Sequence, residues 1–299
     1  MTDVAVSRGK NCTLGQFSAM ASPCEILLET ADMTLCRELT LLAAAEAERI
    51  EQKYSRYRTD SVLSQLNQGA GQWQQLDDET AQLLTFANTC YQLSDGLFDI
   101  SSGILRRAWQ FDGSDRLASQ AQLAALLPHI GWHQVQLKPK QILLPAGMEL
   151  DLGGIAKEYA VDKVLQLLRA QFTPSSLPSI VVNFGGDMHC SRPRHDGSLW
   201  HIGIENPGLV DHAISAVGLT TGALATSGDS RRFLLKDGVR YSHILNPKTG
   251  WPVTDAPRSV TVAAPNCLLA GMLATTALLQ GASAEAFLQA QGLKYWLVA

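Results

Sequence analysis

The sequence predicts an α+β fold, a single domain of antiparallel sheets and helices, on three observations. Segments with helical spacing and segments with strand alternation are interspersed along the chain. The stretch LLKDGVRYSHI sets Lys-Asp-Gly between alternating residues, a strong short-range signal for a hairpin and hence for antiparallel pairing. No composition break marks a linker in the 299 residues. FTPSSLPS at 172–179 is turn-rich but short and runs directly into a strand, so the chain reads as one domain with room for two lobes.

The elements follow in order. Residues 1–16 are taken as a flexible N-terminal arm, and CEILLET at 24–30 as the first strand. From Thr34 to Tyr54 strong helix formers dominate, and Leu35, Leu39, Leu42 and Ala43, with Ala47 or Ile50, make one apolar face. Thr59, Asp60 and Ser61 supply turn and capping chemistry before a short helix over 61–67. DDETAQLLTFANTCYQLSDG predicts a third helix, with acids in its first turn, apolar positions 83, 84, 87 and 91, and Gly96 beyond its end. Further strands are expected at 141–144, 148–152, 179–184, 199–204, 214–219, 232–236, 239–244 and 258–264, and helices at 155–171, 268–280 and 283–291.

Composition limits the function classes. A hydrophobic content of 46% with 17% charged residues suits a well-cored soluble chain and excludes wholesale disorder. The formal charge of -4 offers no basic surplus to draw nucleic acid or anionic lipid. The six cysteines contain no C-x-x-C pair, which argues against a zinc ribbon or a thioredoxin-type site. They read as buried thiols of a cytoplasmic protein, although an even number leaves a disulfide open. The N-terminal stretch lacks the apolar run of roughly 7–15 residues that an export signal needs, and nothing around Cys12 resembles a lipid-attachment site. LLAGMLATTALLQG is interrupted by glycines and reads as a core helix, not a membrane span.

Chemistry concentrates in polar and glycine-rich clusters at strand ends: SDGLFD, LDLGGIAKEYAVD, VNFGGD, ATSGD and SHILNPKTGWPV. In the second, Met148, Leu150 and Leu152 alternate like a strand, while Val161, Val164, Leu165 and Leu168 share a helical face, so Gly153 and Gly154 fall at a strand-to-helix junction. The first amides of a helix lack internal partners, and two glycines let an anion approach them. The alternative is a plain Gly-Gly turn, with Asp151 capping the helix and Lys157 paired on its surface. His243 alternates with Tyr241 and Leu245 just ahead of an Asn-Pro turn, a position from which an imidazole near neutrality takes a proton from a hydroxyl nucleophile.

The segments MASPCEI, YSRYRTDSVLSQLN, SDGLFDIS, LDLGGIAKEYAVD, VNFGGD, WHIGIENP, LATSGD, SHILNPKTGWPV and AGMLATTALLQG occur in an order that resembles the ApbE family of FAD:protein FMN transferases, over nearly the whole chain. The pair S-H-I-x-D/N-P-x-T-G and D-L-G-G-I-A-K carries most of the specificity. The resemblance implies a T-fold-like α+β domain that binds FAD and, with Mg²⁺, moves FMN onto a serine or threonine of an acceptor flavoprotein, releasing AMP. It implies that Asp151 contacts FAD, that the backbone at Gly154 and Thr275 hold the metal, that Lys157 lies by the ligand, and that His243 is the general base. Met20, Tyr57, Leu97, Phe98, Asp99 and Ile244 match the family's other flavin contacts. Breaking a pyrophosphate requires charge stabilisation on its oxygens and a deprotonated nucleophile in line with the leaving group, which suits this set.

Three positions depart from the family pattern. The last motif usually reads A-D-x-x-A-T, and here Gly271 stands in place of the aspartate. Glycine offers magnesium no carboxylate, so a chain that binds FAD without transfer activity is one expectation, and hydrolysis of FAD to FMN and AMP is another. Glu158 stands where a small residue commonly follows the lysine, a carboxylate available to a displaced metal. Ser230 stands where an aromatic residue usually follows S-G-D.

Overall fold

In the computed structural model, residues 3–206, 209–229 and 232–299 are described, and every count below is of those; Ser230, and Pro207 at the end of WHIGIENP, lie outside them. From Ala5 onward, the supposed N-terminal arm is instead paired chain. Strands β1 (Ala5–Gly9), β2 (Cys12–Ala19) and β3 (Ser22–Leu28) form an antiparallel meander. Strand β2 buries every second residue, but two of those positions are Thr13 and Gly15, so the apolar alternation that announces a strand is missing. Gly15 is required there, because a Cβ would lie 1.8 Å from the Thr40 hydroxyl of the helix above.

The chain continues through α1 (Met33–Tyr54), α2 (Val62–Gln68), β4 (Trp73–Gln75), α3 (Asp78–Leu93), a 3₁₀ helix (Ile100–Arg107), α4 (Gln120–Leu126), β5 (Gln136–Lys138) and β6 (Gln141–Leu143). Asp32, Ser61 and Asp77 cap α1, α2 and α3 with their side chains. Next come α5 (Ala156–Arg169), β7 (Ile180–Phe184), β8 (Asp187–Cys190), β9 (Trp200–Asn206), β10 (Leu209–Leu219), β11 (Gly222–Gly228), β12 (Phe233–Lys236), β13 (Val239–Ser242), β14 (Ser259–Ala264), α6 (Cys267–Leu279), α7 (Ala284–Gln291) and β15 (Tyr295–Val298).

The segment predicted as a strand at 148–152 is extended but has no strand partner. Met148, Leu150 and Leu152 are buried as the alternation implied. A side-chain amide replaces the neighbouring strand: Asn67 accepts from the Leu150 amide at 2.7 Å and donates to its carbonyl at 3.0 Å, while the Asp151 amide donates to Ile100 O at 2.8 Å.

Eight strands form one fully antiparallel sheet in the order β1-β2-β3-β7-β8-β11-β14-β15. Helices α1, α5 and α6 cover one face and share a core that includes Ile26, Ile180, Val182, Phe184, Val161 and Leu273. Val181, between two residues of that core, faces the other way and packs with Met188, Trp200, Leu219 and Leu224 by the β9–β10 hairpin. A separate cluster of Ile104, Leu105, Trp109, Leu123 and Leu234 joins the 3₁₀ helix and α4 to the β12–β13 hairpin, with Tyr241, Leu245 and Trp251 against it. Among the described residues no helix is long and apolar enough to cross a membrane.

Candidate functional site

The loop after α1 meets the loop before α5. Arg56 pairs with Asp151 and donates to the Tyr57 hydroxyl at 2.8 Å, leaving the Tyr57 ring 81% exposed. Asp151 does not cap α5. Its Oδ1 accepts from the Gly153 amide at 2.9 Å in a local turn, and the N-cap position of α5, Ile155, makes no side-chain cap. Gly103 makes room for this carboxylate, since a Cβ there would come within 2.2 Å of Asp151 Cβ. The Phe98 ring lies 3.6 Å from where a Cβ of Gly154 would be, so the aromatic ring and the glycine loop are direct neighbours.

Leu97 is partly buried against the main core. The Asp99 carboxylate is engaged within the protein, accepting from the Ser101 amide (2.8 Å), the Ser101 hydroxyl (2.6 Å) and the Trp132 amide (3.0 Å). Met20 sits in the β2–β3 turn with φ of 53°, and its amide donates to Glu51 at 2.9 Å.

A second group gathers between α5, β8, β11 and α6. Lys157 pairs with Asp187 at 2.7 Å, Asp187 also accepts from the Thr226 amide at 3.0 Å, and the Thr275 and Ser227 hydroxyls lie 2.7 Å apart. Burial opposes the charge on Lys157, but Asp187 and Glu158 outweigh it and hold the ammonium above its ordinary pKa. Glu158 turns inward and is buried, with Oε2 lacking any hydrogen-bond partner. Burial first, and then the charge of Asp187, push its carboxyl well above the usual carboxylate range against the pull of Lys157. No three His, Cys, Asp or Glu side chains among the described residues form a ready metal cage. The donors present are nonetheless of the hard-oxygen type that magnesium takes: carboxylate, hydroxyl and backbone carbonyl.

His243 directly follows β13. Its Nδ1 lies 3.0 Å from Arg232 O, so Nδ1 carries the proton and Nε2 is left as the acceptor. Its ring meets Phe111 edge-on at 6.2 Å. Burial lowers the imidazole pKa below its ordinary 6.5, with the Arg232 carbonyl opposing. The turn behind it is locked by Asn246, whose backbone accepts from Gly250 at 2.8 Å, and by Trp109, whose indole donates to Gly250 O at 2.8 Å. Ser242 and Ile244, on either side of His243, line a cavity of ≈ 480 Å³ together with Asp229, Arg240, Trp251 and Leu278. Leu278 lies one turn beyond Thr275 on α6, and Asp229 follows β11 two residues after Ser227, so the same two elements run from the Lys157 group to the cavity wall.

The ApbE family matches residues 20–297. This chain belongs to the ApbE family. Relatives named FAD:protein FMN transferase include one from Vibrio cholerae, 31% identical over 78% of this chain and 71% of its own length. One from Treponema pallidum is 33% identical over 77% and 68%, and one from Escherichia coli 27% identical over 99% and 84%. Among solved structures, the ApbE protein of Thermotoga maritima superposes with a TM-score of 0.84 at 27% identity, covering 99% of this chain and 94% of that one. The flavinyl transferase ApbE of Pseudomonas stutzeri gives 0.83 at 26%, covering 99% and 91%. The expected α+β ApbE fold is therefore the fold observed.

Of the residues singled out from the sequence, the fold brings Tyr57, Phe98, Asp151 and Gly154 into one neighbourhood, places Lys157 and Thr275 about the Asp187–β11 junction, and sets His243 and Ile244 on the hairpin beside the cavity. Arg56, Asp187 and Ser227 lay inside quoted motifs without an assigned role. The available signal was a charged or hydroxyl residue next to a glycine or aromatic motif position, which is too common to single them out.

Proposed function

We propose that this ApbE-family chain binds FAD and transfers its FMN half to a serine or threonine hydroxyl of an acceptor flavoprotein, releasing AMP. One observation carries the reading: the Asp151 loop, Lys157 and Thr275 stand along elements that lead to a cavity lined by Ser242 and Ile244, the chain neighbours of a histidine whose Nε2 is left as the acceptor. The Lys157 ammonium and the uncapped start of α5 favour a pyrophosphate beside them. The Arg56–Tyr57 pair and Phe98 offer flat surfaces to FAD rings.

In the reaction the acceptor oxygen attacks the FMN phosphorus, its proton passes to His243 Nε2, and the P–O bond to AMP breaks with the electron pair leaving on the AMP oxygen. The cavity wall that includes Ile244 would restrict water on the acceptor side, which favours transfer over hydrolysis. Magnesium, when bound, supplies positive charge to the pyrophosphate oxygens; the Gly154 backbone, Thr275 and a carboxylate would hold it. The cytoplasmic location belongs to the same proposal and rests on cysteine usage.

The test combines purified protein, FAD, Mg²⁺ and a flavoprotein bearing an acceptor threonine, and reads flavin fluorescence in the denatured acceptor band. A fluorescent band with free AMP is expected. A dark band from an acceptor that another transferase labels overturns the reading, and FMN with AMP formed in the absence of acceptor identifies a hydrolase instead.

A further inference from the structure

Glycine at position 271 is matched by what fills its place. A Cβ built on Gly271 would stand 2.5 Å from Glu158 Cγ, 2.9 Å from Oε1 and 3.0 Å from Cδ, so the Glu158 side chain occupies the volume that any side chain at 271 would take. Gly271 and Thr275 are four residues apart on α6 and share a face, which puts an acid in that notch beside the Thr275 hydroxyl. We infer that Glu158 is the metal-ligating carboxylate of this chain, delivered from α5 into the notch of Gly271, and that positions 158 and 271 form a reciprocal pair in which one carries the acid and the other must be small.

Three observations support it. Glu158 is 7% exposed, and its buried Oε2 has no hydrogen-bond partner, a costly state for a carboxylate that must share its nearby cation with Asp187. The nearest cation, Lys157, is paired with Asp187. The surroundings supply the rest of a hard-oxygen set: the Asp187 carboxylate beside Glu158, and the Thr275 and Ser227 hydroxyls at 2.7 Å from each other. A carboxylic acid that merely fills the notch and shares a proton with Asp187 is the competing role. It predicts no dependence of cation binding on residue 158.

The inference rests on the FMN-transfer reading for the identity of the cation alone, so the test reads cation and FAD separately. Mn²⁺ serves as the probe, its free fraction followed by electron paramagnetic resonance with and without FAD, and FAD binding is followed by quenching of flavin fluorescence. Wild type is expected to bind Mn²⁺, and Glu158→Gln to weaken it by at least about tenfold with FAD affinity little changed. Gly271→Asp alone is expected to lower the melting temperature, because the new side chain meets Glu158, whereas Glu158→Gly with Gly271→Asp restores Mn²⁺ affinity. Restoration in the double variant also covers the case in which Glu158→Gln fails to fold. Wild-type affinity in Glu158→Gln, or no Mn²⁺ binding by the wild type in either state, overturns the inference. Loss of FAD binding with the Mn²⁺ pattern intact sinks the FMN-transfer reading and leaves this one standing.

Discussion

The imidazole of His243 illustrates how much of the chemistry depends on one backbone carbonyl. Arg232 O, at 3.0 Å from Nδ1, fixes the tautomer and so leaves Nε2 as the nitrogen that takes the proton in the proposed transfer. Burial disfavours the charged ring, and a group held neutral remains a base at lower pH than a free imidazole. The acidic limb of kcat/KM for FMN transfer is therefore expected below pH 6.5, with activity retained at pH 6.5 and lost through a single protonation beneath it. His243→Ala should abolish labelling while flavin fluorescence quenching still reports FAD binding; a variant that labels at the wild-type rate excludes His243 as the base. Asp99 marks what a sequence conceals at this scale. The G-x-F-D resemblance marks it as a ligand contact; its carboxylate also makes two bonds to the adjacent Ser101 turn and one to the Trp132 amide, and that last partner, 33 residues on, leaves no trace in the local pattern.

Among the elements, α5 and α6 match the sequence reading to within a residue or two, α5 because it carries a long apolar face and α6 because it is apolar nearly all round. What locks them together was not legible. Asp162, on α5, accepts from the Cys267 and Leu268 amides at 2.9 and 3.0 Å and from His189 at 2.7 Å, so it caps α6 from a neighbouring helix alongside the local cap, Asn266. Asp162→Ala is expected to cost about 1–3 kcal/mol in urea unfolding and to weaken Mn²⁺ binding through the shifted Thr275, more than it weakens FAD binding. Strand β1 lies at the sheet edge with almost no buried positions and β2 puts Thr13 and Gly15 at buried positions usually held by apolar residues, so neither shows apolar alternation, and the 148–152 segment imitated a strand whose partner is one asparagine side chain. A different clamp joins α1 to α3. Hydrogen bonds from Arg49 and then Lys53, with Tyr159 added, hold the Glu79 carboxyl down at about 2 from an ordinary 4.5. The folded state thus favours the ionised form; this stabilisation is present above pH 4.5 and is lost as pH falls through about 2. Urea unfolding across that window should show the loss in wild type and a shallower one in Glu79→Gln.

At the scale of the whole molecule, the antiparallel sheet and its helices carry Asp151, Lys157 and Thr275, while the hairpin with His243 belongs to a separate apolar cluster. The proposed transfer requires the two to stay in register, so that a hydroxyl is activated at a phosphorus held elsewhere. Asp229, just past β11, is the junction: Arg240 of the hairpin donates to it at 2.7 Å and Arg258, just before β14, at 2.8 Å, and Arg240 also reaches its backbone carbonyl. The LATSGD motif was visible in the sequence, but its role as a tie between lobes depends on two arginines distant in the chain, and no local periodicity encodes that. Asp229→Ala removes the carboxylate from both guanidinium groups, leaving Arg240 the backbone carbonyl alone and the hairpin held mainly by its apolar contacts. Hydrogen exchange of β12 and β13 is then expected to quicken while β2, β3 and β7 stay protected, and acceptor labelling should fall more steeply than FAD affinity, because binding draws on groups of the sheet lobe and transfer needs both. Faster exchange across the entire sheet, or an equal fall in labelling and FAD affinity, would mean that the two lobes open as one cooperative unit and that Asp229 contributes to general stability and not to their alignment.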